Sequence, residues 1–223
     1  MSWTVQDIQN QIAYEVDQDD SSPTAGGTDW TIRLGLINRS LFDWAESYDW
    51  SSLKKVHNGL VSTSTANASY ALPSDFKKLD GFPRIVSDGV TAYDFPAVDP
   101  SRNGQYVDSD KFVNIFPNGR VMYIHAGTLA SGASVQFTYY SSPASLATSN
   151  TEIICPDPTF IVQRSLYYLY KGREDGRFPE AKVESEKILA RMIENENALG
   201  LAYVDRSVSV GKPGYKSFRI GRD

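Results

Sequence analysis

Apolar positions along the chain follow two periods, and the change of period divides it. Trp30, Leu34, Ile37, Leu41, Trp44 and Tyr48 recur at steps of four and three. That spacing puts them on one face of a helix, a stripe facing a core or a partner helix. Thr28 or Asp29 stands where a cap is needed, and Asn38 and Arg39 lie off the stripe. A shorter helix precedes it, with Val5, Ile8, Ile12 and Val16 on one side. Thr4 followed by Asp7 supplies its cap. Between the two, Asp17 to Gly27 is a polar loop of Asp, Ser, Pro and Gly with no surviving period.

From Trp50 to Ser142 the period is two. Leu60 to Thr65 and Ala68 to Leu72 flank a polar turn at Ala66-Asn67. Gly81 to Val86, Ala92 to Phe95, Phe112 to Phe116 and Val121 to His125 read as short strands, and Pro117-Asn118-Gly119 is a turn signal between the last two. In Ser134 to Tyr140, Val135, Phe137 and Tyr139 share one face and Gln136, Thr138 and Tyr140 the other. Ser74-Asp75-Phe76 reads as one helical turn between strands. Short strands at this density predict a compact antiparallel sandwich or barrel.

Helical spacing returns after a Ser/Ala/Thr linker at Pro143 to Asn150. Asp157 caps a helix that starts at Pro158 and carries Phe160, Ile161, Leu166, Leu169 and Tyr170. Gly172 to Phe178 breaks it. Pro179 opens the last helix, with Val183, Ile188, Leu189, Met192, Ile193 and Leu199 expected inward and Gly200 as its end. Glu180, Lys182, Glu184, Glu186, Lys187 and Arg191 alternate on its outer side. The predicted class is α+β: a frame of about four helices, an inserted antiparallel β sandwich or barrel, and an extended C-terminal arm. The expected divisions are N-terminal helices at 1–49, the inserted β domain at 50–145, the closing helix pair at 146–200 and the basic arm at 201–223.

Composition adds an uneven charge. The net charge of the 223 residues is -5, but residues 1–50 hold nine acids against two bases, while 206–222 hold five bases and no acid. An acidic head and a basic tail suit charge-complementary contacts with neighbours. No apolar run approaches a bilayer span. Met1-Ser2-Trp3-Thr4 lacks the regions of a signal peptide. The single thiol, Cys155, forms no intramolecular disulfide and reads as buried and structural. These features predict synthesis in a cytosol-like compartment.

Candidate chemistry is sparse. His57, His125 and Cys155 have no metal-ligand neighbours at useful spacing, and Gly26-Gly27 and Gly132 lack the rest of a phosphate loop. No cofactor and no metal are expected. Asp19-Asp20 and Asp108-Ser109-Asp110 are carboxylate clusters in polar loops. A hydrolase would need two facing acids from Asp94, Asp99, Asp108 and Asp110 over a groove lined by Tyr93, Tyr106 or Tyr123. In the tail, bases alternate with aromatics: Arg206, Lys212, Tyr215, Lys216, Phe218, Arg219 and Arg222. Such a segment suits nucleic acid by phosphate contact and stacking, or an arm on a neighbouring subunit. The arm is favoured, because five bases are few for independent DNA binding in an acidic chain.

The helix Asp29 to Trp44 with Leu36-Ile37-Asn38-Arg39, the phrase Tyr70-Ala71-Leu72-Pro73-Ser74-Asp75-Phe76-Lys77-Lys78-Leu79 and the closing helix pair together resemble tailed-phage head–tail connector proteins, also called adaptor, head-completion or tail tubular protein A-like proteins. The likeness covers the layout of residues 1 to 200. It implies a virion structural protein and no enzyme. Such proteins form a homo-oligomeric ring of about twelve copies beneath the portal protein. The ring joins the capsid to a tail, stopper or tail-tube protein and passes duplex DNA through its channel without sequence-specific binding. It implies synthesis in the host bacterial cytoplasm and no membrane partner. It further implies that the helical frame makes subunit and portal contacts, that the β stretch faces outwards or the tail, and that the C-terminal tail reaches a neighbour or the portal. Partner-binding positions on this reading are the tail residues above with Glu184, Lys187 and Arg191 on the last helix. The competing readings are the hydrolase, a carbohydrate- or protein-binding β module with an exposed aromatic patch, and a tail-terminator-type protein.

Overall fold

The computed structural model describes residues 3–17, 23–60, 67–86, 92–101, 111–116, 118–125 and 133–208, with backbone alone at 17, 67–68, 92–93 and 200–208. Helix α1 (Val5–Asp17) opens on a reciprocal cap. The Thr4 N–H donates to Asp7 Oδ2 at 2.8 Å and the Asp7 N–H donates back to Thr4 Oγ1 at 3.3 Å. Two more of its orphan donors, the N–H groups of Val5 and Gln6, reach the carbonyls of Thr151 and Ser149. The first helix is thereby tied to the segment that leads into the third.

Helix α2 (Thr28–Ser47) starts one step earlier than Thr28 or Asp29 as caps would allow: Gly27 is its N-cap, with no side-chain cap bond. Its stripe is buried as expected at Trp30, Ile37, Leu41 and Trp44, and Leu34 and Tyr48 pack against the same cluster. At its C-terminal end the Trp50 indole N–H donates to the Trp44 carbonyl at 2.7 Å, and the two indoles stack with centroids 5.3 Å apart.

Helix α3 (Pro158–Gly172) begins where Asp157 caps it, Thr159 N–H donating to Asp157 Oδ1 at 3.2 Å. It is the central helix and packs against α1, α2 and α4 (Phe178–Val208). On α4 the buried positions are Ala181, Ser185, Ile188 and Met192, at steps of four, three and four. Leu189 and Ile193 pack beside them. Val183 and Leu199, expected inward, are about half exposed, because they fall off this stripe. The helix also passes Gly200 and runs to Val208. An interior glycine costs only about 1 kcal/mol against alanine, and Leu201-Ala202-Tyr203 resumes residues that a helix accepts.

Among the described residues, seven strands in two sheets lie between α2 and α3. One sheet has the order β1 (Lys54–Leu60), β7 (Ser134–Ser141), β3 (Phe76–Val86), β4 (Ala92–Asp94). The other has the order β2 (Asn67–Ala71), β6 (Val121–His125), β5 (Phe112–Phe116). The named pairs within both sheets are antiparallel. Ile85, Val135, Phe137 and Tyr139 of the first sheet and Val113, Met122 and Ile124 of the second form one cluster with Leu72 and Phe95. The class is α+β, and among the described residues the sheets form two facing layers and no closed barrel.

Three strand expectations change. The first strand is Lys54–Leu60, ahead of where the sequence pattern begins it, and the expected stretch from 61 to Thr65 lies outside the described residues. Lys54, Lys55 and Val56 are all exposed on this edge strand, so burial leaves no alternation to read. The strands on either side of residues 61–66 do not pair with each other; β1 joins β7 and β2 joins β6. Strand β3 starts at Phe76, well before Gly81, with register shifts between Phe76 and Lys78 and between Asp80 and Arg84. The first shift inserts one residue in β3 and the second inserts two, so the regular pairing is interrupted at both places. Ser74-Asp75-Phe76 is a β-turn into this strand, closed by the Phe76 N–H on the Pro73 carbonyl at 3.1 Å. Gly59 leaves room between the sheets: a Cβ there would lie 1.6 Å from the Tyr70 hydroxyl.

Trp44 is fully buried and stacked, so Trp44→Ala should cost about 3–5 kcal/mol. Urea unfolding of the two proteins measures it, and a loss under about 1 kcal/mol would remove Trp44 from the core account.

Candidate interaction surfaces

The phrase that carries the family likeness builds the joint between helices and sheets. Asp75 sits in the turn before β3. Its Oδ2 accepts from Lys55 Nζ on β1 at 2.6 Å and its Oδ1 from the Tyr139 hydroxyl on β7 at 2.9 Å. Its carbonyl takes the Ser142 N–H at 2.7 Å. Lys77 reaches the other way: its Nζ donates to the Ala45 carbonyl at 2.7 Å and lies 3.3 Å from Glu46. A cation on the last turn of α2 satisfies an orphan carbonyl and meets the negative end of the helix dipole. Lys78 pairs with Asp49 at 2.6 Å, and the Ser141 hydroxyl donates to the Leu53 carbonyl at 3.0 Å.

Partial burial alone would raise the Asp75 carboxyl, but the Lys55 and Tyr139 hydrogen bonds outweigh it and hold the group below its ordinary 3.8. Burial, reinforced by Asp75, pushes the Tyr139 hydroxyl up to about 12.

On α4, Glu184 and Lys187 pair with each other at 3.3 Å on the outer side. Arg191 pairs inward along the surface with Asp157, the cap of α3, at 2.5 Å. Burial would raise the Asp157 carboxyl, but Thr159 and Arg191 lower it further than burial raises it. Arg191 therefore fastens α4 to the start of α3. Arg206 lies in the last helical turn with only its backbone described, and Lys212, Tyr215, Lys216, Phe218, Arg219 and Arg222 lie outside the described residues.

A cluster with less sequence signal spans α2 and α3. Arg164 Nε donates to Asp43 Oδ2 at 2.8 Å, and the Tyr168 hydroxyl donates to the same oxygen. The Arg39 guanidinium lies 3.9 Å over the Tyr168 ring. Ile32, Leu36, Arg33, Gly172 and Arg173 line a shallow groove beside that ring. Steps of three and four from Ile32 through Gly35 and Arg39 to Phe42 are the signal that finds this second face of α2.

The hairpin of β5 and β6 presents an apolar patch. Phe116 and Tyr123 meet edge to face at 5.4 Å, and each is about two-fifths exposed. The remaining candidates have local roles. His57, half-buried on β1, shares a 2.7 Å hydrogen bond with the Tyr70 hydroxyl. His125 ends β6, bonds Asn114 at 2.7 Å and is shifted down by burial. Cys155 is buried, and burial pushes its thiol up to about 12. Among the described residues no cluster of metal-ligating side chains forms. Asp94 stands cross-strand from Arg84, and Asp99 accepts the Ser101 N–H at 2.8 Å as a turn residue. Asp19, Asp20, Asp108, Asp110 and Tyr106 lie outside the described residues, as does the side chain of Tyr93.

The SU10 adaptor protein family model matches residues 3–210. The chain belongs to that family. It is therefore a phage adaptor-type protein, and the role this carries is structural. No curated protein matches the chain. The match takes in both helix pairs, both sheets and the joint between them, so the likeness drawn from Tyr70 to Leu79 extends to the whole architecture. Membership implies a virion component that contacts portal and tail proteins in general terms. No helix among the described residues is long and apolar enough to cross a membrane.

The Asp75 and Asp157 carboxyls are depressed in the folded chain, so their stabilisation is complete only above about pH 5, clear of the ordinary 3.8, and fades as pH falls through their folded values. Urea midpoints measured down from neutral pH should drop in that acid window. Asp75→Asn should be less stable at neutral pH and flatter with acid. A variant that tracks the parent's acid slope would remove Asp75 from the linkage.

Proposed function

We propose that this chain forms a closed ring of about twelve copies that docks on a portal protein, joins the capsid to the tail and continues the DNA channel. The family match over residues 3–210 carries the reading. The joint supports it: a connector must transmit load between two neighbours without its parts swinging apart. Lys77 and Lys78 fix the sheets to the end of α2 by ionic and carbonyl contacts. In this role the helical frame meets sister subunits and the portal, and the exposed Phe116–Tyr123 hairpin meets a tail, stopper or tail-tube protein. The basic arm from Arg206 to Arg222, with Tyr215 and Phe218 as anchors, reaches a neighbour or the portal. Glu184 and Lys187 offer further polar contacts on the outer side of α4. Duplex DNA passes without sequence-specific contact, helped by the net charge of -5. The protein is made in the host bacterial cytoplasm and works at the head–tail interface of the virion.

The Phe116–Tyr123 patch also fits the protein-binding β module considered from the sequence, and a carbohydrate would stack on the same rings.

Electron microscopy of intact particles decides between these. The expected result is a ring of this chain, coaxial with the portal and enclosing a channel wide enough for duplex DNA. A chain that never joins the portal moves the assignment to the binding module. Deletion of residues 206–223 should leave the thermal midpoint unchanged and weaken attachment to the neighbour or portal. Unchanged assembly of the shortened chain would sink the role of the arm.

A further inference from the structure

The outer side of α2 carries a second stripe opposite its buried one. Thr28, Ile32, Gly35, Arg39, Phe42 and Glu46 recur at steps of four and three. Ile32 is 52% exposed and Phe42 36%. Between them stands Gly35, where an added Cβ meets nothing within 4 Å. Glycine destabilises a helix interior relative to alanine, and the described subunit provides no contact that requires it here. Backbone-to-backbone approach by a helix from outside would require it. Beside this stripe three exposed cations gather, Arg39 over the Tyr168 ring and Lys171 and Arg173 at the end of α3, with Asp29 also lining the groove between them.

Helix α1 covers the other side of the α2–α3 pair. Gln9 Nε2 donates to the Trp30 carbonyl at 3.2 Å, and the Tyr170 hydroxyl donates to the Glu15 carbonyl at 3.4 Å. The outward positions of α1 are Asp7, Asn10, Tyr14 and Glu15, with Tyr14 56% exposed. Residues 1–20 contain five acids and no Lys or Arg. The two sides of one subunit thus differ in charge and both carry exposed apolar groups. That is what a head-to-tail contact between identical chains needs.

We infer that the outer α2–α3 face, at Ile32, Gly35, Arg39 and Phe42, seats the outward side of α1 from a second copy of this chain. This rests on the ring reading above and names the two faces that close the ring. Gly35 is the crossing point of the helices. Tyr14 packs with Ile32 and Phe42, and Asp7 and Glu15 of the incoming helix meet the cations Arg39, Lys171 and Arg173.

The test is cysteine cross-linking of the full chain in assembled particles. Tyr14→Cys and Ile32→Cys both shrink an exposed side chain, and the native Cys155 is buried. With a short bismaleimide, the chain carrying both substitutions should give a ladder of covalent multimers, and each single variant should give none. Rings that yield no ladder, or links formed by Ile32→Cys alone, overturn this pairing of faces while leaving the ring intact. Particles with no ring of the unmodified chain overturn the ring reading as well. A second measurement uses Gly35→Ala. The thermal midpoint of the free chain should hold or rise, while the concentration needed for ring contact should increase about tenfold or more. Unimpaired assembly of this variant overturns the role given to Gly35.

Discussion

Everything else in the molecule depends on the charged turn between β2 and β3. Two separate apolar clusters stabilise the helices and the sheets, and apolar burial has no direction by itself. What orients one cluster against the other is a short run of polar contacts with defined geometry. Asp75 gathers β1, the start of β3 and the end of β7. Lys77 and Lys78, two and three residues on, grip the last turn of α2 and the segment after it. Because Lys77 binds a carbonyl as well as a carboxylate, part of the grip persists when salt screens the ion pairs.

The helical frame has a simple internal logic. Central α3 offers one side to each of the other three helices, and polar ties fix their ends: the Val5 and Gln6 N–H groups of α1 on the Thr151 and Ser149 carbonyls, Lys77 on α2, Asp157 with Arg191 between α3 and α4. Surface ion pairs contribute little stability individually. Their value here is angular, since each fixes a helix end whose side chains alone would tolerate rotation. A protein that works by presenting faces to neighbours gains more from fixed angles than from added stability.

Much of the frame was legible in the sequence because each helix buries one stripe. Trp30 to Trp44 and Phe160 to Tyr170 follow the helical period closely, and Thr4, Asp7 and Asp157 announce their caps. The strands were legible where one face is buried, as in Val135, Phe137 and Tyr139 of β7. They were not where the sheet edge exposes consecutive residues, as at Lys54 to Val56, or where bulges shift the register, as in β3. Val183 and Leu199 misled because an apolar residue on a long exposed helix need not face its core. Of the interaction residues, Glu184, Lys187 and Arg191 were visible as exposed charges, but that Arg191 serves the cap of α3 is a tertiary fact. The roles of Asp75, Lys77 and Lys78 depend on partners 20 or more residues away, which neither spacing nor composition encodes.

The sheets are inserted between two helices that pack together, and this has a consequence for biosynthesis. Helix α2 ends at Ser47 and its partner α3 begins at Pro158. On the ribosome the Trp30–Trp44 stripe emerges with only α1 to cover part of it. The sheets can collapse meanwhile, since their strands lie between those points. The frame closes only when α3 and α4 have emerged, so the last part synthesised completes the first. Until then an aromatic face is open to chaperones and to other nascent chains, and exposed apolar surface of that kind is prone to aggregate.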